Sequence, residues 1–121
     1  GFDNTVGLYR TFSFEEVEEA RMRLGQMGLS ALADTSIRRI STGQARRLFL
    51  ARALVGGPSV LLLDEPCSGL DIPSRDAYLQ ALDAFAAGGM QYVFVSHYEE
   101  DAPSSADRVA QMKDGHLTVL R

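Results

Sequence analysis

Lysine is almost absent from this chain: of the 12 basic side chains only Lys113 is one. A phosphate-binding loop needs Gly-x-x-x-x-Gly-Lys-Ser/Thr, so that backbone amides and one ammonium cradle the phosphates. Lys113 stands instead before Asp114-Gly115, and no such loop occurs in the 121 residues. Cysteine is as scarce. Cys67 cannot form an internal disulfide, which fits a reducing compartment. Nothing basic sits beside it in sequence to lower its pKa, so it is expected to fill space. Basic charge is also in deficit: a net −4 supplies no global field toward nucleic acid or anionic lipid. No apolar run approaches the roughly 18 residues of a membrane span. Gly1-Phe2-Asp3 carries neither an initiator methionine nor a basic-then-apolar signal pattern, and a piece of a longer protein is expected.

What is present suits one α/β domain at most. Residues 1–12 are rich in turn formers and are expected to be irregular. Ser13-Phe14-Glu15-Glu16 matches a capping box. Phe14, Val17, Ala20, Leu24 and Met27 then recur at helical spacing, with Gly28 as the stop. A shorter helix over residues 30–33 and a loop over 34–40 follow. Ser41 is expected to cap a second helix reaching about Val55, ended by Gly56-Gly57-Pro58. Its apolar face opposes Arg46 and Arg47, which with Arg38 and Arg39 are expected to be solvated, with a helper role near phosphate as the second choice. Val60-Leu61-Leu62-Leu63 and Tyr92-Val93-Phe94-Val95 have the pattern of parallel strands buried on both faces. A third helix is expected over residues 73–87, closed by Gly88-Gly89. Asp114-Gly115 between residues 107–112 and 117–120 signals a hairpin. This order predicts an α/β fold, a parallel sheet with helices and a C-terminal antiparallel hairpin.

Three places carry chemistry. Asp64 and Glu65 close the first aliphatic strand, at the end where α/β sheets gather ligands. Asp64 is suited to hold Mg²⁺ through water, and Glu65 to orient or deprotonate a water. Ser41-Thr42-Gly43-Gln44 opens a helix, where free amides and the dipole favour an anion. Gly43 would let a phosphate approach the backbone, and Ser41 and Gln44 can donate to it. His97 follows the second strand at the same sheet edge. Each has an ordinary explanation when taken singly: an acidic loop, simple capping, a surface histidine. His116, in the hairpin, is given only the last of these.

The order Ser-Thr-Gly-Gln, helix, Leu-Leu-Leu-Asp-Glu-Pro, Ser68-Gly69-Leu70-Asp71, then Val-Ser-His resembles the second half of an ABC-type ATPase, over residues 36–118. On that resemblance residues 40–44 are the signature, 60–65 the Walker B strand, 68–71 the D-loop and His97 the switch histidine. Ile40 and Thr42 depart from the usual Leu-Ser-Gly-Gly-Gln. Thr42 adds a side chain where glycine is usual, so its contact with phosphate is expected to be weaker. The resemblance implies a partial P-loop NTPase fold without its phosphate-loop strand. It places residues 1–35 in a helical signature subdomain and 36–121 in the C-terminal part of the ATPase core. It also implies ATP and Mg²⁺ as ligands of the intact parent. Asp64 would serve the metal, Glu65 and His97 catalysis, Ser41, Thr42, Gly43 and Gln44 the nucleotide on a partner domain, and Asp71 communication across the dimer. The partners implied are the missing Walker A segment, a second nucleotide-binding domain and membrane transporter subunits, with a cytoplasmic location at the inner membrane face and no direct nucleic-acid contact.

Two further expectations follow from the missing loop. The chain by itself should hydrolyse ATP negligibly. Without its neighbouring strand the sheet must close up, borrow a strand from another copy or expose an edge, so self-association or a rearranged sheet is expected. Within residues 1–35, Gly1-Phe2-Asp3 with Gly7-Leu8-Tyr9-Arg10, before an acidic helix, looks like ATP-binding proteins of the molybdenum-transport or photorepair type. The competing readings are a non-catalytic interaction module of the same shape and a DNA-repair-type ATPase. The latter usually carries a long coiled coil before the signature, for which residues 13–33 are too short.

Overall fold

The structure, a computed structural model, describes residues 11–120. Helix α1 spans Phe14–Gln26, α2 Thr42–Leu54, strand β1 Val60–Asp64, helix α3 Ile72–Ala87 and strand β2 Gln91–Val95. Strands β3 (Ala110–Lys113) and β4 (His116–Val119) complete the order. Short 3-10 turns occupy Ser30–Leu32, Ile37–Arg39 and Glu99–Asp101.

Local chemistry starts these helices. Before α1 the Glu16 amide donates to Ser13 Oγ (3.3 Å) and the Ser13 amide to Glu16 Oε2 (2.9 Å), the reciprocal cap its sequence announces. Only the far end of α1 reaches the interior. Phe14 is 76% exposed and Val17 also lies outside, while Leu24 packs on the core and Met27 is buried in it. Arg47 departs from the solvated role expected of it, because its guanidinium donates to the Met27 carbonyl at 2.9 Å. That bond ties α2 to the carbonyl end of α1, where unpaired acceptors are in supply. The hairpin turns at Asp114 (φ 50°) and Gly115 (φ 76°), two successive left-handed residues of the kind a two-residue hairpin demands.

Strands β1 and β2 pair in parallel, Val60 with Gln91 through Asp64 with Val95. The Glu65 amide adds one more bond to the Val95 carbonyl (2.9 Å). One face of this pair meets the helices: Leu61 is buried with Leu50, Ala51 and Leu54 of α2 and Tyr78 of α3, and Leu63, Tyr92 and Phe94 pack against them. The opposite face corrects the expectation of burial on both sides. Leu62 is 77% exposed and Val60, Val93 and Val95 are exposed with it, since no described element lies over them. Among the described residues this sheet has two strands, so each keeps an unpaired edge. The β3–β4 hairpin forms a separate sheet whose residues are all exposed. No described helix is long and apolar enough to cross a membrane.

Candidate functional site

The two parallel strands end side by side, and this brings Glu65 and His97 together. Glu65 leaves β1 with φ 46°, a left-handed backbone that a non-glycine residue adopts at a cost of about 1–3 kcal/mol. The turn is held by the Ser68 amide donating to the Glu65 carbonyl (3.1 Å) and the Leu70 amide to that of Cys67 (3.1 Å). In this conformation Glu65 Oε1 lies 3.3 Å from His97 Nε2. That oxygen is itself buried and accepts no hydrogen bond, although the imidazole stands beside it. Asp64 stays exposed on the outer face of β1, opposite Val95.

The His97 segment is anchored from behind. Ser96 Oγ accepts from the Tyr98 amide (3.1 Å) and donates to Asp101 Oδ2 (3.1 Å). Asp101 is a charged residue only 5% exposed, and its other oxygen lies 3.9 Å from an Arg75 guanidinium nitrogen in the first turn of α3. Further along, Asp83 of α3 accepts from the Ser105 amide (3.0 Å) and from the Ser104 and Ser105 hydroxyls. Partial burial pushes the Asp83 carboxyl up, but those hydrogen bonds outweigh it and leave the pKa lowered. Ser105 also shares a hydrogen bond with the Tyr92 hydroxyl (2.8 Å), so strand β2, its exit and α3 are bound together.

Ser41 caps α2 as expected, and Gln44 is part of the same cap. The Gln44 amide donates to Ser41 Oγ (3.2 Å), and the Ser41 amide donates to Gln44 Oε1 (2.8 Å). The Gln44 carbonyl oxygen is thus occupied, which leaves its NH₂ as the side chain's donor. Thr42 is exposed at the tip. Gly43 is buried, and a Cβ placed on it would stand 2.6 Å from Ser74 Cβ and closer still to Ser74 Oγ. In this chain, therefore, α3 uses the room that glycine leaves. Asp71 caps α3, accepting from the Ser74 amide at 2.9 Å. The Ser74 hydroxyl, then its amide, hold the Asp71 carboxyl below its usual range.

The site residues read from sequence thus fall into two groups joined through α3. Asp64, Glu65 and His97 form the strand-end group, and Ser41, Thr42, Gly43, Gln44 and Asp71 stand where α2 and α3 begin. Ser74, Arg75 and Asp101 are the links, and none carried a sequence signal. Asp101 is one of three successive acids, Glu99-Glu100-Asp101, and only its burial sets it apart. Cys67 fills the core as expected. Burial pushes its thiol up to about 11, with the Asp101 carboxylate adding and the Arg75 and Arg46 guanidiniums partly offsetting. His116 is exposed, its Nδ1 3.0 Å from the Asp114 carbonyl oxygen. A cleft of about 580 Å³ lies at the opposite ends of the strands, lined by Arg23, Pro58, Ser59 and Met90 among others, away from all of these groups.

A parallel strand pair thus ends in a carboxylate and an imidazole, beside two capped helix tips. The chain belongs to the ABC transporter family, whose description matches residues 2–68, more than half of the sequence. It is 39% identical over 104 residues to the spermidine/putrescine import ATP-binding protein PotA 1 of Pseudomonas aeruginosa, covering 85% of this chain and 28% of that protein. It is 39% identical over 112 residues to the cobalt import ATP-binding protein CbiO of Rhodobacter capsulatus, covering 93% and 39%. With the energy-coupling factor transporter ATP-binding protein EcfA2 of Symbiobacterium thermophilum identity is 44% over 107 residues, covering 87% and 37%. The chain therefore spans less than half the length of these relatives. The fold matches the ADP conformation of MJ1267, an ATP-binding cassette of an ABC transporter, with a TM-score of 0.84 over 92% of this chain and 44% of that one, at 23% identity. A putative metal-chelate type ABC transporter in an inward-facing conformation matches with a TM-score of 0.82 at 24% identity, over 94% of this chain and 46% of that one. The expected ATPase-cassette fold, with its parallel strands and antiparallel hairpin, is the one observed. A molybdenum-transport or photorepair subtype finds no support in these relatives; of the residues 1–35 that suggested it, 1–10 lie outside the described residues.

Proposed function

We propose that this chain supplies the signature, Walker B strand, D-loop and switch histidine of an ATP-hydrolysing subunit in an import-type ABC transporter. The observation that carries the proposal is the Glu65–His97 pair, 3.3 Å apart at adjoining strand ends. In this reading Glu65 orients or deprotonates the attacking water. His97, beside Glu65, reaches the terminal phosphate. Ser41, Thr42, Gly43 and Gln44 present the tip of α2 to nucleotide on a second domain, and Asp71 carries the contact between the two. Residues 1–35 would belong to the helical subdomain and 36–121 to the ATPase core.

A Mg²⁺ ion fits this site only as a guest of the nucleotide. No described cluster of three His, Cys, Asp or Glu side chains could hold a metal, whereas an ion bound mostly by phosphates and waters needs one carboxylate, and Asp64 is exposed at the strand end. When bound, Mg²⁺ would neutralise charge developing on the phosphates. The partners in this reading are a phosphate-loop segment, a second nucleotide-binding domain and membrane subunits at the cytoplasmic face, with no nucleic-acid contact. The import names of PotA 1, CbiO and EcfA2 support the direction of transport and leave the cargo open.

The test supplies a phosphate-loop segment of the parent in trans and measures MgATP turnover. We expect negligible hydrolysis by the 121-residue chain, turnover when the segment is added, and a loss of about 10²-fold or more on Glu65→Gln. Turnover by the isolated chain would refute the role given to the added loop. A completed protein that binds no MgATP would leave a non-catalytic interaction module in its place.

A further inference from the structure

Helices α2 and α3 begin almost in contact. Gly43, in the first turn of α2, has no room for a Cβ, because the space is taken by the Ser74 side chain in the first turn of α3. Ser74 faces two ways. Its Cβ and Oγ fill the space beside Gly43, while its amide donates to the Asp71 carboxylate (2.9 Å). Gly43 is buried although both its neighbours in the motif, Thr42 and Gln44, are at least partly open. One small side chain therefore stands between the backbone of the signature tip and the carboxylate that caps the D-loop helix.

We propose that Ser74 is a positioning residue that makes the tip of α2 and the Asp71 turn one rigid body. Packed atoms in near contact transmit displacement rather than absorb it. A tip that closes on a phosphate must then carry the Asp71 carboxylate with it. The inference rests on the ATPase reading above for its consequence, but the contact itself is testable without it.

Four variants separate the parts. Gly43→Ala forces a Cβ against Ser74 and should lower the thermal midpoint of the chain by roughly 5–15 °C. It should also move the amide NMR signals of Asp71 and Ser74. Adding Ser74→Gly vacates the space, leaving Ser74 Cα at an ordinary 3.7 Å, and should recover most of the midpoint and the Asp71 signal. Adding Ser74→Ala keeps the Cβ and should recover neither. This pattern holds even if Gly43→Ala unfolds the chain, since the double variants are then compared with one another. In the protein completed with its phosphate-loop segment, Ser74→Gly in the Gly43 background removes the side chain that fills the space between Gly43 and the Asp71 turn. It should lower kcat for ATP by roughly 2- to 30-fold with KM unchanged. Rescue by Ser74→Ala equal to that by Ser74→Gly, or an unchanged kcat in a completed protein that turns over, would overturn the proposal. If the completed wild type binds no MgATP, the ATPase reading fails and takes this consequence with it, while the rescue pattern still decides the contact.

Discussion

Leu61 and Leu62 are neighbours in one strand, yet the first is 5% exposed and the second 77%. The same contrast runs along both strands. The inner face of β1 and β2 is closed by α2 and α3, whereas the outer face presents Val60, Leu62, Val93 and Val95 with nothing described above them. An aliphatic run specifies that both faces are to be buried; what buries each is decided elsewhere in the polypeptide. Soluble monomers seldom leave a contiguous apolar sheet face bare, so the outer face is expected to be covered in the working protein.

The widest gap between the two faces should appear in truncation. Leu54 is fully buried, and Leu54→Ala should cost about 2–5 kcal/mol in chemical denaturation. Leu62→Ala in the same chain should stay within about 0.5 kcal/mol. Equal losses would erase the distinction between the faces. Next in size is association. Leu62→Lys with Val93→Lys should leave the melting temperature nearly unchanged while abolishing self-association in sedimentation velocity and weakening capture of the phosphate-loop segment. A chain that is monomeric at all concentrations before substitution would show that the exposed face needs no cover. The smallest effect should come from the closed side, through Cys67. Its thiol has an ordinary pKa of 9.0 and is raised to about 11 when folded. The folded state holds that proton more tightly, so its contribution to stability is complete below pH 9 and is lost as the pH rises through about 11. Cys67→Ala should flatten the stability profile over that window. An unaltered profile would mean the thiol is not closed off from water.

Elements whose cause is local were legible in the sequence. Ser13 with Glu16, Ser41, and Asp114-Gly115 each fix a boundary through atoms a few residues apart, and each stands where it was expected. Relations made across the fold were not legible. Arg47 looks like any surface arginine until α1 ends beneath it. Ser74 looks like a generic helix-start serine until Gly43 is laid against it. The order of motifs placed Glu65 and His97 at one sheet edge, but not the left-handed turn that brings their side chains within 3.3 Å. The open face was hidden for the same reason: four consecutive aliphatic residues are identical in pattern whether their second neighbour is present or elsewhere.

That left-handed turn sets terms for evolution at position 65. A glycine there would relax the backbone, and a β-branched residue would strain it further. The chain instead carries a long acidic side chain in a conformation suited to glycine. In the proposed role of Glu65, stability and chemistry thus pull on one residue in opposite directions, and the version that folds most easily is one that has given up its carboxylate.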